Sequence, residues 1–166
     1  MNEKLQQVLK NQKAQKNGPD ENKDEGIVQL VCFMVGDEEF GVPILNIQEI
    51  IKPLASTRVP STAAYVVGVF NLRGSVLPLV DLRQKFGLSP QRHTEDTRFI
   101  VIKNDKNQVS GFVIDKLTEA IRMKESDIDP APESGSDDEN QIYGVGKRED
   151  KIITILRVES LLNKMD

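Results

Sequence analysis

Residues 66–82 read VVGVFNLRGSVLPLVDL, the longest apolar block of the chain, and they are interrupted at one place. Two hydrophobic arms, Val66–Leu72 and Val76–Leu82, flank Arg73-Gly74-Ser75. Apolar runs of this length separated by a short glycine-containing loop predict a β-hairpin. Gly74 supplies the positive φ that such loops require. Arg73 then sits at the tip of a largely buried hairpin, close to Asn71. A guanidinium in that place either has a structural carboxylate partner or meets something outside the molecule.

On both sides of this hairpin the chain is predominantly short strands. Val28–Val35 and Phe40–Ile44 read as two strands joined by the turn Gly36-Asp37-Glu38-Glu39, with Pro43 marking an edge or a bulge. Leu45, Ile47, Ile50 and Ile51 follow helical spacing, which predicts one or two helical turns over 45–52, ended by Pro53. Residues 53–64 read as a loop. After the hairpin, Leu82–Phe86 has helix-forming composition with Gly87 as its cap, and 89–96 is a polar connector. Phe99–Ile102 and Val109–Ile114 are strands around a turn at 104–107. The stretch Lys116–Met123 fits either a strand or a short helix. Residues 125–139 carry seven acids and no base and read as a surface loop. A second hairpin joins Ile142–Val145 to Ile152–Leu156, and Val158–Leu162 closes the chain as a short helix. Residues 1–26 differ from all of this. They are poor in apolar residues and balanced in charge, which predicts a disordered or weakly helical tail; Leu5, Val8 and Leu9 line one face of any short helix there, and Gly18-Pro19 stops it.

The two halves resemble each other. Shifting FGVPILNIQEIIK (40–52) by 70 residues onto SGFVIDKLTEAIR (110–122) matches Gly41 with Gly111, Ile44 with Ile114, Glu49 with Glu119 and Ile51 with Ile121. Further on, Tyr65–Gly68 parallels Tyr143–Gly146, and Leu77–Leu82 parallels Ile153–Val158. A duplicated unit of about 70 residues made of short strands predicts a mainly β fold of two small barrels packed together, units 27–96 and 97–166 exchanging strands, with short helices. The hairpin tips differ. KREDK in the second unit is wholly charged and expected to be solvated, whereas VFNLRGS is apolar apart from Asn71 and Arg73. This places the special function on the first unit.

Composition excludes several functions. The net charge of −4 and the absence of Trp argue against a nucleic-acid binder. No apolar run is long enough to span a membrane, the N-terminus lacks a signal-peptide core, and the single Cys32 fits a reducing, cytoplasmic compartment. Chemistry is sparse: His93 lies in a polar connector, Cys32 reads as core, and neither a phosphate loop nor a metal-ligand spacing occurs. The chain is expected not to be an enzyme and to carry no cofactor or metal. Glu49 and Arg73 admit two compatible readings, a buried or half-buried ion pair that locks the short helix at 45–52 onto the hairpin, or a polar anchor at the rim of a protein-binding groove.

Taken together, GDEEFGVPILNIQEI (36–50), GVFNLRGSVLPLVDLR (68–83), GFVIDKLTEAI (111–121) and DIDPAP (127–132) resemble the chemotaxis coupling protein CheW family, over nearly all of the chain from Ile27. The resemblance implies two intertwined five-stranded SH3-like barrels. It implies a non-enzymatic adaptor linking the cytoplasmic tip of methyl-accepting chemotaxis receptors to the regulatory domain of the histidine kinase CheA, cytoplasmic and recruited to receptor arrays at the inner face of the membrane, with other CheW-like domains in rings as further partners. It implies a receptor-binding set of Ile47, Glu49, Asn71 and Arg73, and a kinase-binding set of Ile128, Pro130, Pro132 and Glu133. Where relatives often follow the last motif with a large apolar residue, this chain has Ser134-Gly135-Ser136. The alternatives are a CheW-like scaffold of a non-flagellar chemosensory pathway and a small-molecule-binding barrel.

Overall fold

The structure is a computed structural model, and it describes residues 26–60, 62–131 and 141–162. The chain forms β1 (Ile27–Val35), β2 (Glu38–Pro43), β3 (Ile47–Ile51), β4 (Ser56–Thr57), β5 (Val66–Leu72), β6 (Ser75–Asp81) and helix α1 (Leu82–Lys85) in its first half. The second half gives β7 (Arg98–Lys103), β8 (Val109–Ile114), β9 (Lys116–Lys124), β10 (Ile128–Pro130), β11 (Ile142–Arg148), β12 (Lys151–Leu156) and helix α2 (Val158–Leu162). The fold is mainly β, with two sheets of six strands ordered β10-β11-β12-β2-β1-β9 and β3-β7-β8-β6-β5-β4. Advancing every strand of one sheet by six positions in the chain generates the other. Each sheet thus takes four strands from one half and two from the other, joined by the parallel pairs β2–β12 and β6–β8.

This topology explains why the strands read as unbroken apolar runs. In β7, Ile100 and Ile102 enter a central core between the sheets, while Phe99 and Val101 enter a core belonging to the second sheet alone. β1 does the same, sending Val31, Phe33 and Val35 to the central core and Leu30 and Cys32 to the first sheet's own core. A strand buried on both faces has no polar alternation to show. In the first sheet, Ile121 and Met123 of edge strand β9 share a core with Ile128 of the opposite edge strand β10, so the sheet is strongly curled.

Several sequence readings change, among them the loop expected over 53–64, which contains β4. The helical turns expected over 45–52 are a 3-10 turn at Ile44–Asn46 followed by strand β3. The β3–β7 register slips between Ile47 and Glu49. That bulge puts Ile47 and Ile50 on the same face, against the central core, and Ile51 on the other. A bulged strand therefore mimics helical spacing. β9 carries the same slip, pairing Leu117 with Phe33 and Glu119 with Cys32, and this settles the ambiguous stretch 116–123 as strand. The acidic stretch 125–139 is not all loop: it opens with a 3-10 turn at Glu125–Asp127 and contains β10. The second repeat segment also slides by two residues. Bulges lie at Val66/Gly68 and at Ile142/Gly144, which equates Gly68 with Gly144 rather than with Gly146. Both glycines are pressed by the backbone of a short edge strand, Thr57 of β4 in one case and Asp129 of β10 in the other.

Candidate functional site

The hairpin at residues 66–82 is β5–β6, and its loop is shorter than expected: Leu72 pairs with Ser75, leaving only Arg73 and Gly74 in the turn. Both have positive φ, 52° and 89°. That is the type I′ geometry whose twist matches the flanking strands. Glycine adopts it freely; arginine rarely does, and a left-handed non-glycine residue in a tight turn invites a functional explanation. Phe70 and Leu72 are buried within the second sheet's own core, so the apolar character of this hairpin is mostly internal. Val76, opposite Asn71, is the exception at 66% exposed.

Glu49 reaches the tip from β3. The bulge at Gln48 re-aims the carboxylate toward the hairpin. Arg73 donates to both carboxylate oxygens, Nη2 to Oε2 and Nε to Oε1 at 3.3 Å. Such two-point pairing fixes the guanidinium plane as well as its position. The hydrogen bond to Glu49, reinforced by its charge, raises the Arg73 pKa further above an already high value. The proton is therefore never at issue near neutrality. The Arg73 side chain remains 74% exposed against 25% for Glu49. A braced cation is thus held outward, with donors left for a second acceptor.

The predicted residues separate into groups. Glu49, Asn71 and Arg73 cluster at the hairpin tip. Ile47 opens β3 but is 7% exposed and belongs to the central core. Of the second set, Ile128 is buried in the first sheet's core and Pro130 is exposed, two residues further along the same short edge strand β10. Pro132 and Glu133 lie outside the described residues, as does residues 1–25 of the tail. Between the halves is a cleft of about 680 Å³ lined by Phe40, Tyr65, Phe86, Ile142 and Leu156 among others, and none of the predicted residues lines it.

A second ion pair escaped the sequence reading. Arg148 of the KREDK tip donates to Glu119 at 2.6 Å, and Lys151 approaches the same carboxylate at 3.6 Å. Glu119 follows the β9 bulge as Glu49 follows the β3 bulge. The tip is therefore not simply solvated, and the Glu49/Glu119 match in the repeat was the available signal. The two arrangements differ in detail: Arg148 sits in the strand ladder opposite Lys151, whereas Arg73 lies in the loop itself. The hydrogen bond from Arg148 lowers the Glu119 pKa. A depressed carboxylate pKa contributes stability that is complete above the ordinary value of 4.5 and is lost as pH falls through the folded-state value. Glu119→Gln should accordingly cost at most about 1 kcal/mol at pH 7, since the pair is partly exposed. The difference from wild type in urea melts should shrink progressively at pH 4 and pH 3; a constant difference would mean that packing, not charge, is responsible.

Elsewhere the titratable groups read as structural. Burial pushes the Cys32 thiol up to about 12, so it is a core residue rather than a nucleophile. His93 is exposed and stands edge-on to Phe99. Asp81 caps α1 by accepting from the Arg83 N–H, and Arg83 in turn pairs with Asp115 at 2.6 Å. Among the described residues no cluster of His, Cys, Asp or Glu is placed to hold a metal, and no helix is long and apolar enough to cross a membrane.

Two six-stranded sheets related by an internal repeat, with a braced cation presented at one hairpin tip, make up the architecture. Comparison with known proteins places it in a family. Residues 29–166 match the model of the CheW-like domain. The chain is 50% identical over 164 residues to the chemotaxis protein CheW of Helicobacter pylori, covering 99% of each chain. It is 33% identical over 137 residues to that of Bacillus subtilis, covering 82% of this chain and 87% of the relative. Among solved structures, the scaffolding protein TtCheW of Thermoanaerobacter tengcongensis superimposes with a TM-score of 0.71 at 30% identity, over 78% of this chain and 88% of that one. The chain belongs to the CheW-like domain family. The family and the scaffolding neighbour point to a non-catalytic adaptor.

Proposed function

We propose that this protein couples methyl-accepting chemotaxis receptors to the histidine kinase CheA, binding the cytoplasmic tip of the receptor and the regulatory domain of the kinase at once. The observation that carries this reading is the Glu49–Arg73 pair: a guanidinium fixed in two directions, three-quarters exposed, on the hairpin that also carries the exposed Val76 opposite Asn71. Arginine set next to an apolar contact is the composition of a protein-binding hot spot. The receptor-binding set is the hairpin-tip group of Glu49, Asn71 and Arg73, in which the Arg73 guanidinium makes the contact, and Ile47 supports the group from the core. Kinase contact is assigned to the β10 edge, through Pro130 and the following Pro132 and Glu133, with Ile128 anchoring that strand from below.

In this role the protein performs no bond chemistry. Two docking surfaces on one body raise the effective concentration of each partner for the other. A receptor that alters the geometry of its own site shifts the kinase equilibrium through the shared scaffold, and by linkage the kinase acts back on the receptor. The site of action is the cytoplasmic face of receptor arrays. Reconstitution tests this: the full chain, the kinase and membranes bearing receptor should sediment together, and kinase activity should respond to attractant only when the chain is present. Sedimentation of receptor and kinase without it, with an unchanged attractant response, would defeat the proposal.

A further inference from the structure

We propose that Asn71 serves docking as a positioning residue, acting on Arg73 through the turn rather than touching the partner. This rests on the docking role given to Arg73 above. The Asn71 side-chain oxygen accepts a hydrogen bond from the Gly74 N–H at 3.0 Å, spanning the two-residue loop from one strand to the far side of the turn. In a hairpin closed by the Leu72–Ser75 pair, that N–H lies outside the strand ladder. Asn71 therefore satisfies the loop's own donor and holds both loop residues in their left-handed conformations.

The second hairpin supplies an internal control. There the place of Asn71 is taken by Lys147, opposite Ile152 as Asn71 is opposite Val76. The arginine that reaches the acid is Arg148, which is held by its strand pairing and does not depend on the loop. Arg73 has no such support: it is the first loop residue, in a conformation arginine seldom adopts. Where the guanidinium rides on the turn, the turn carries an asparagine clasp; where it rides on the strand, a lysine stands instead. The Asn71 oxygen is committed to Gly74, and its role follows from that bond.

The experiment is a double-mutant cycle on the full chain, with binding to a soluble receptor signalling fragment and amide exchange of Gly74 by NMR as readouts. Asn71→Ala should weaken binding about fivefold, the loss expected for one net hydrogen bond, and should accelerate Gly74 amide exchange by a similar factor. Asn71→Asp keeps the acceptor and should restore the Gly74 protection. In an Arg73→Ala background, Asn71→Ala should weaken binding no further. Full additivity of the two losses would show that Asn71 touches the partner itself and would overturn the inference. So would an unchanged Gly74 amide in Asn71→Ala. If Arg73→Ala alone leaves binding intact, it is the docking role of the tip that falls, and the Gly74 amide still decides whether the clasp exists.

Discussion

Arg73→Asp should lower affinity for the receptor fragment by more than about 100-fold, the loss typical of a hot-spot residue at a protein interface, while the circular dichroism spectrum stays that of the wild type. Reversing the charge does two things at once. It removes the presented guanidinium, and it sets a second carboxylate against Glu49, which is only 25% exposed. The fold should survive because the altered side chain is largely in solvent and because aspartate, unlike most residues, tolerates a left-handed turn position. Arg73→Lys should fall between the two, since an ammonium keeps the charge and loses the two-point geometry. Titration calorimetry with each variant measures the series. Wild-type affinity in Arg73→Asp would remove the hairpin tip from the interface.

The largest stability loss should come from Gly68→Ala. Gly68 has a φ of 151°, and a Cβ there would lie 2.6 Å from the Thr57 carbonyl carbon and 2.9 Å from the Arg58 Cα. These are backbone atoms of β4 and the residue after it, so no rotamer change relieves the clash. Strain and overpacking together should cost about 3–5 kcal/mol. Gly41→Ala is the control: its nearest neighbour would be a methyl of Ile153 at 3.3 Å, and an ordinary side chain yields more cheaply. Urea midpoints give both values. Equal shifts in the two variants would mean that β4 is free to move away, and that this edge strand contributes little to the sheet.

The hairpin at 66–82 was legible because its turn chemistry is local: glycine in the loop, apolar arms on both sides. The mainly β fold was legible from the repeat, which no single segment carries. What misled the sequence reading was the bulge. By adding one residue to β3 and to β9, it places Ile47 with Ile50, and Leu117 with Ala120, on the central core, an interval that a regular strand does not produce. The same bulges aim Glu49 and Glu119 at their arginines, so the irregularity that obscured the strands is what builds the ion pairs. The second pair was missed for a different reason. A run of charges at a turn looks alike whether or not one of them has an acid waiting on a neighbouring strand, and that acid lies 29 residues from Arg148. The clasp at Asn71 was hidden in plain composition, because an asparagine near a turn and an asparagine that touches a partner have the same letter.

The chain passes from one sheet to the other within each half at links of very different build. The first is the three-residue turn Ile44–Asn46, and the second is a single residue, Asp115. Asp115 is pinned on several sides: its N–H donates to the Met34 carbonyl, and its carboxylate accepts from the Gly36 N–H and from Arg83. A one-residue crossing so tightly bolted leaves no slack for a hinge. Force applied at the Arg73 tip would then be passed on as tilt of the entire body, as along a rigid lever, rather than absorbed by flexing at the seam between the sheets.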